Sequence, residues 1–249
     1  MKNFTVAILT KNSESTLSRL LSSCQFANEI ILVDDNSTDG TLTIAKKHGA
    51  KIFVHSLNND FAAQRNYALE NATNDWVLFV DADEVLNSEL IDSIEKLPEN
   101  TEVDAFKIKR TDYFWKQKMN YGETGNCYLT RLVDRRKGEF KRSVHEVYSA
   151  KGSVDTLCGE FEHYAHNSVQ GFLVKINFYS TLNAQTFLRE KRRTNVFDIF
   201  FTPIFKFMYT FFLKLGFMDG AAGFVYSFMM SFHSFLTRAK LYSLTHSKK

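Results

Sequence analysis

Asp81-Ala82-Asp83-Glu84 places three carboxylates within four positions, directly after the apolar run Trp76-Val77-Leu78-Phe79-Val80. Two acids two residues apart at a strand end can share a hard divalent cation. Mg2+ and Mn2+ prefer oxygen ligands and take one or two protein carboxylates, with waters and phosphates completing the shell. By itself the spacing equally describes a solvated acidic turn leading into a helix capped at Asn87 or Ser88. A second acid pair, Asp34-Asp35 in VDDNSTDG, ends another apolar run. A carboxylate there can accept a hydrogen bond from a nucleobase imide N–H, although Asn, Ser, Thr, Asp and Gly are also turn residues. A third run, FTVAIL (4–9), leads into TKNSE, with Thr10 and Glu14. Three run ends bearing groups suited to base, ribose and metal–diphosphate are far less ordinary than one. The counter-charge expected at the acid cluster is a divalent ion arriving with a nucleotide, without which the cluster should be loosely held.

The three ends share an edge only if the runs are strands of one parallel sheet. Leu17, Leu20, Leu21 and Cys24 follow the first run at helical spacing. After EIILVDD (29–35), STDGTLTIAKKHG reads as a helix with Ser37 or Thr38 as N-cap and Gly49 as its stop. KIFVHS (51–56) is a third strand, DFAAQRNYALENAT (60–73) a helix, DWVLFVDADE (75–84) a fourth strand, and NSELIDSIEKLP (87–98) a capped helix closed by Pro98. Unbroken apolar strands alternating with helices predict βαβ units and a parallel sheet, whose ligands bind at the carboxyl ends of the strands. DAFKIKRTDYFW (104–115) and CYLTRLVDRR (127–136) read as strands of a mixed sheet, and from about residue 168 the pattern is helical and amphipathic.

The composition is globular: 44% hydrophobic and 24% charged over 249 residues, with only two prolines. Cys24, Cys127 and Cys158 are odd in number, widely spaced and form no CxxC pair, which supports neither a disulfide framework nor a zinc knuckle and makes a reducing cytosol the default. The apolar run near the start, six residues long, reads as a strand and not a signal peptide. The net charge of +3 hides an asymmetry. Residues 189–249 carry ten Lys/Arg against three Asp/Glu, and 12 of the 24 phenylalanines lie between Phe197 and Phe235. A basic, Phe-rich end on an acidic body points to a membrane surface ahead of nucleic acid. The longest stretch without Lys or Arg, Leu215 to Thr237, contains Asp219, His233 and three glycines. It reads as part of a helical hairpin broken around Gly216–Gly223, lying on a membrane or packed on the body, rather than as a span.

VAILTKNSE, ILVDDNSTDGT, AAQRNYALENATNDWVLFVDADE and VHE together resemble glycosyltransferase family 2 over roughly the first 150 residues. RLVDRR…VHE and the tail KFMYTFFLKLGFMDGAAGFVYSF are similar to bacterial lipopolysaccharide and lipooligosaccharide core glucosyltransferases. The resemblance implies an α/β fold of the GT-A, Rossmann-like kind over residues 1–168: a mixed, mainly parallel sheet flanked by helices. Residues 169–249 would be a helical, amphipathic appendage toward membrane or acceptor. It further implies that Asp35 contacts uracil, that Thr10 and Glu14 flank the nucleotide, and that Asp81 touches the ribose. Asp83 would hold Mn2+ or Mg2+, Gln64 and Arg65 would lie near the diphosphate or donor sugar, and Glu146 would be the general base. Many relatives carry an ED pair for the base, and this chain has no Glu-Asp dipeptide. It also lacks the QxxRW of processive members, which implies transfer of a single sugar.

The activity implied is inverting transfer of a sugar, glucose by resemblance, from a UDP-sugar to a hydroxyl of a lipopolysaccharide-core or other lipid-linked glycan. The place implied is the cytoplasmic face of the inner membrane, with no nucleic-acid partner. His145 could orient Glu146, and Arg131 and Arg142 could hold an anionic acceptor or orient the base. Glu84 reads as supporting the cluster or capping the next helix, and His163 and His166 as hydrogen-bonded surface or core histidines. Two other classes stay in view. A catalytically silent nucleotide-binding scaffold would not need Asp81, Asp83 and Glu146. A nucleotidyltransferase would want a glycine-rich phosphate loop, which TKNSEST is not.

Overall fold

The computed structural model describes residues 3–98, 101–143, 146–166 and 168–246. It divides into two compact units, Met1–Arg110 with Tyr128–His163, and Thr111–Cys127 with Tyr164–Lys249. The strands and helices are, in chain order, β1 (Phe4–Thr10), α1 (Glu14–Ser23), β2 (Glu29–Asp34), α2 (Thr41–Lys47), β3 (Lys51–Val54), α3 (Phe61–Asn71), β4 (Trp76–Asp81), β5 (Glu84–Leu86), α4 (Ser88–Glu95), β6 (Val103–Phe114), β7 (Gln117–Lys118), β8 (Cys127–Asp134), β9 (Gly138–Lys141), β10 (Val147–Ala150), β11 (Ser153–His166), α5 (Val169–Arg189), α6 (Val196–Met208) and α7 (Gly220–His246).

In the first unit the sheet order is β3-β2-β1-β4-β8-β6-β11-β5. The first four strands are parallel, and β8 pairs antiparallel with β4. These parallel strands lie between two layers, so alternate residues must be apolar on both faces. Val6, Ile8, Leu32, Leu78 and Val80 pack with Leu17, Leu20 and Leu21 of α1 in one core. Ala7, Ile31, Val33, Val77 and Phe79 pack with Ala62, Ala68 and Leu69 of α3 in the other. Thr10 lies opposite Asp34, Leu9 opposite Asp81, and Asp34 opposite Val54. The polar run ends therefore form one row. After β3 the chain crosses to the other side of β1 to place β4, making the carboxyl ends of β1 and β4 a topological switch point, where open α/β sheets bind ligands.

Three local features depart from the sequence reading. The run 75–84 breaks at Ala82-Asp83, because Glu84 is fully buried and β5 turns away to pair antiparallel with β11. Helix α2 starts at Thr41, not after Ser37 or Thr38. The Ser37 amide and hydroxyl are both taken by Asp34, and the Gly40 amide is capped by Glu14 Oε2 at 2.9 Å. The strand β11, 14 residues long, went unread because acids and threonine interrupt its apolar positions. Gly49 does follow the end of α2, at φ +75°, the left-handed conformation that glycine adopts without strain.

Glu29, at the opposite ends of the strands, accepts hydrogen bonds from Thr5 Oγ1 (2.5 Å), Lys51 Nζ (2.6 Å) and the Thr73 amide (2.8 Å). Burial pushes its carboxyl up, but these donors outweigh that and hold it down to about 2. A depressed carboxyl stabilises the fold above its unfolded pKa and loses that contribution as pH falls toward 2. Glu29→Gln is expected to cost about 2 kcal/mol at pH 7, a deficit that shrinks below pH 4. Urea denaturation of both proteins between pH 7 and pH 3 checks it; a deficit independent of pH would contradict the assignment.

The second unit has its own core of Phe114, Met119, Phe172, Ile176, Ala222, Tyr226 and Met229. Buried Asp112 accepts the Tyr226 hydroxyl at 3.0 Å, and the Asp219 carboxylate accepts the amides of Asn120 and Tyr121. Helix α6 continues through a π-helical turn, Tyr209–Leu213, and the chain reverses through a 3-10 turn, Gly216–Asp219, before α7. The close approach explains two of the glycines, since a Cβ on Gly223 would run into the Gly216 carbonyl and one on Gly216 would meet the Thr210 carbonyl at 2.8 Å. The reversal coincides with the break that the sequence places around Gly216–Gly223. Val196–Leu213 is long and apolar enough to cross a membrane by length and composition, with a mean hydropathy of 1.5.

Candidate active site

The switch point holds a buried charge network. Asp81, the last residue of β4, accepts Arg65 Nη2 at 2.9 Å and Arg131 Nη1 at 3.2 Å through Oδ1, and Arg131 Nη2 at 2.5 Å through Oδ2. Arg65, on α3, also donates Nε to Glu146 Oε1 at 2.8 Å, so one guanidinium bridges two carboxylates. Its plane is fixed by the rings of Phe79 and Phe140, whose centroids lie 5.3 and 5.6 Å from Cζ. Behind Asp81, the Glu84 Oε2 accepts the Asp81 amide at 2.9 Å, and Oε1 lies 3.6 Å from Arg131.

Burial opposes ionisation of Asp81, but Arg131 and Arg65 outweigh it and hold the carboxyl far below the usual range. Glu84 goes the other way. Burial pushes its carboxyl up, and although Arg131 opposes this, neighbouring Asp81 adds to it. The two acids are thus separated: Asp81 carries the negative charge and Glu84 tends toward the neutral form. Arg131 is pushed up in turn, burial being outweighed by Asp81 and Glu84.

The loop after β9 is brought to this network by α3. Asn66, next to Arg65, donates Nδ2 to the Phe140 carbonyl and accepts the Phe140 amide, and the Phe61 amide donates to the Ser143 carbonyl. One helix therefore docks the hairpin through Asn66 and holds its carboxylate through Arg65. Glu146 Oε2 accepts no hydrogen bond among the described residues.

The remaining sequence-predicted residues are dispersed around this centre. Asp83 has Oδ1 3.4 Å from His163 Nε2, a polar partner for a histidine read as hydrogen-bonded. Asp35 accepts Lys11 Nζ at 2.7 Å and the Leu57 amide at 3.0 Å. Burial pushes its carboxyl up, and these donors more than offset that to leave it lowered. Thr10 is buried and its hydroxyl finds no partner among the described residues. Glu14 is spent on the amino terminus of α2, and Gln64 is spent on His55, through Oε1 to Nδ1 at 2.6 Å and Nε2 to the carbonyl at 2.8 Å. Arg142 is exposed at φ +75° in the loop leading toward Glu146. His145, and the side chain of His166, lie outside the described residues.

The residues that sequence reasoning missed are Asn66 and Lys11, which carried no chemical signal, and the true partners of Arg131. The counter-charge to Asp81 is a pair of guanidiniums, where the sequence pointed to an arriving ion. Three buried polar side-chain atoms at this edge, Thr10 Oγ1, Arg65 Nη1 and Glu84 Oε1, have no hydrogen-bond partner among the described residues. Buried unsatisfied groups cost about 1–3 kcal/mol each, so three at one edge call for an explanation such as a ligand.

Asp83, part-exposed beside His163, fits a hard cation that draws the rest of its shell from donor phosphates and water. Among the described residues no three His, Cys, Asp or Glu side chains converge to form a metal site. A polar cavity of about 270 Å³ lies instead beside Gln25, Asn28, Glu29 and Lys51 at the far ends of the strands, where Glu29 is already saturated.

Comparisons with known proteins place the chain in a family. The model of "Glycosyl transferase family 2" matches residues 5–148. An uncharacterized glycosyltransferase of Rickettsia typhi is 31% identical over 262 residues, covering 98% of this chain and 88% of that protein. The lipopolysaccharide core biosynthesis glycosyltransferase LpsC of Rhizobium meliloti is 29% identical, covering 94% of this chain and 90% of that one. Among solved structures, S. aureus TarS superposes with a TM-score of 0.47 at 18% identity, covering 89% of this chain and 46% of TarS. With the family model spanning more than half of the sequence, from β1 through the Glu146 loop, and full-length relatives at this identity, the chain belongs to glycosyl transferase family 2 and is a glycosyltransferase.

Proposed function

We propose that the protein transfers a single sugar, glucose, from a UDP-sugar to a hydroxyl of a lipopolysaccharide-core or related lipid-linked glycan, with inversion at the anomeric carbon. The bridge made by Arg65 between Asp81 and Glu146 carries this reading, because it sets a ribose-binding acid and a proton acceptor on either side of one rigid guanidinium at the switch point. Asp35, at the neighbouring strand end, would receive the uracil, with Thr10 flanking it. Gln64 and Glu14 act in this scheme by holding β3 and α2 in place, not by touching the donor. The acceptor's nature and a site of action at the cytoplasmic face of the inner membrane rest on the likeness to LpsC and on the basic, Phe-rich end of the chain.

In the reaction the acceptor hydroxyl loses a proton as it attacks, and Glu146, anchored through Oε1, offers Oε2 to take it. Only one protein base is needed, because the leaving UDP departs without protonation by a second carboxyl. When bound at Asp83 and His163, Mn2+ or Mg2+ supplies positive charge to the diphosphate. Arg65 and Arg131 keep Asp81 ionised at every working pH, so the hydrogen-bond acceptor for the ribose is always present.

The test is a screen of UDP-, GDP- and dTDP-sugars for metal-dependent release of nucleotide. UDP-glucose is expected to turn over with Mn2+. Asp83→Ala is expected to lower that release at least about 100-fold while leaving the thermal midpoint within about 3 °C, because a part-exposed carboxylate carries little of the fold. Equal release from wild type and Asp83→Ala would remove Asp83 from the site, and release from GDP- or dTDP-sugars alone would overturn the donor.

A further inference from the structure

Helix α6 faces the wrong way for a water-soluble protein. Along Val196–Leu213, exposed and half-buried pairs alternate with helical spacing, and every exposed residue is apolar. Phe197, Phe200, Phe201, Ile204, Phe205 and Met208 lie on the outer stripe at 47–73% exposure, and α6 buries none of its residues. The half-buried stripe holds the polar side chains. Asp198 closes a capping box with Asn195, and Lys206 donates to Glu123 at 2.7 Å. An ordinary surface helix does the reverse, with apolar residues inward and charges outward. More than half of the exposed large apolar side chains among the described residues lie between Val196 and Phe228. That concentration exceeds what scattered surface hydrophobes explain.

The flanks identify the partner. Arg189, Lys191, Arg192 and Arg193, all exposed, immediately precede α6, and exposed Lys214 follows the π-helical turn. A basic collar at both ends of an apolar stripe matches an anionic lipid leaflet, where apolar side chains enter the acyl boundary and cations meet headgroups. A second copy of the chain would bring like-charged collars together. One side of α6 is occupied within its own unit, as the Ser231 hydroxyl donates to the Pro203 carbonyl at 2.7 Å. With its polar side chains tied to the protein on that side, the helix has one lipid-compatible face, which suits lying in the interface and not crossing the bilayer.

We infer that α6 and its π-helical extension dock in-plane on an anionic membrane, with the stripe through Phe197, Phe201 and Phe205 as the inserted edge and residues 189–193 as the headgroup contact. The inference deepens the membrane-proximal part of the proposed function by naming the face and the lipid charge. Its test needs no sugar, so its outcome and that of the donor screen are separable.

Full-length protein is floated with vesicles of phosphatidylethanolamine and phosphatidylglycerol, and separately with neutral phosphatidylcholine vesicles. Wild type is expected to float with the anionic vesicles. Phe201→Ser/Phe205→Ser should lower the partition coefficient at least about tenfold, and Lys191→Glu/Arg193→Glu should remove the preference for anionic lipid. Both variants should keep wild-type release of UDP, since neither touches the charge network. Equal flotation of wild type and the Phe variant would overturn the inference. So would a wild-type dimer in sedimentation velocity that the Phe substitutions convert to monomer without any change in vesicle binding.

Discussion

Glu146→Gln is expected to abolish sugar transfer while leaving the donor site intact. A positioned general base contributes about 10²–10⁴ in rate, so kcat should fall by that factor. The carboxamide oxygen can still accept Arg65 Nε, the contact that holds the side chain in place at 2.8 Å, so the geometry around Asp81 should persist. Donor affinity, read by calorimetry with UDP and metal, should therefore change less than about threefold. The split between kcat and donor affinity separates a lost base from a disturbed pocket, which would weaken both. Turnover within about threefold of wild type would place the base elsewhere.

What the sequence made legible divides along the distance over which each signal acts. Strand ends, helix stops and the switch-point edge follow from local patterning: apolar runs, Gly49, Asp60 and Asn87 each act within a few residues. The candidate acids were legible for the same reason, since a carboxylate terminating an apolar strand contradicts its surroundings. Their partners were not. Arg131 lies 50 positions from Asp81, and Arg65 lies 81 positions from Glu146, so the pairs exist only after β8 and the β9–β10 hairpin have docked. Gln64 illustrates the limit most clearly. The resemblance put it near the diphosphate or donor sugar, and the chain after β3 presents His55 to both of its polar ends. One signal was available and unused. Three acids entering a buried edge need cations of comparable number, and Arg131, set among apolar residues in YLTRLVD, is the strand cation whose neighbours place it indoors. The stripe on α6 is hidden in the sequence by Asp198 and Lys206 within it. Attention to stretches free of Lys and Arg selects Leu215–Thr237, whereas Lys206 in Val196–Leu213 is neutralised by Glu123 and does not interrupt the apolar face.

The same charge accounting predicts that Arg131→Met should be among the most destabilising single substitutions in the first unit. The wild-type network sets Asp81, Glu84 and Glu146 against Arg65 and Arg131, with burial pushing the Glu84 carboxyl up and Arg131 opposing that. Removing Arg131 leaves Asp81 with one guanidinium and strips Glu84, which has no exposed surface, of its nearest cation. Breaking a buried pair from one side costs about 3–5 kcal/mol, which for a chain of this size lowers the thermal midpoint by roughly 10 °C. The pH dependence follows from two signs that agree. Asp81, whose carboxyl is depressed, stabilises the native state above its unfolded pKa and loses that contribution in acid, so the variant has less to lose there. Glu84, whose carboxyl is raised, stabilises below its unfolded pKa and loses that contribution as pH rises, more so without Arg131. The deficit should accordingly be largest near pH 7 and shrink below about pH 4. Adding Glu84→Gln should restore at least about 1 kcal/mol to the Arg131→Met protein, because a carboxamide still accepts the Asp81 amide and needs no counter-charge. If the two substitutions were simply additive in urea denaturation, Glu84 would not be coupled to Arg131. The opposite displacements of the two acids, Asp81 lowered and Glu84 raised, would then need another cause.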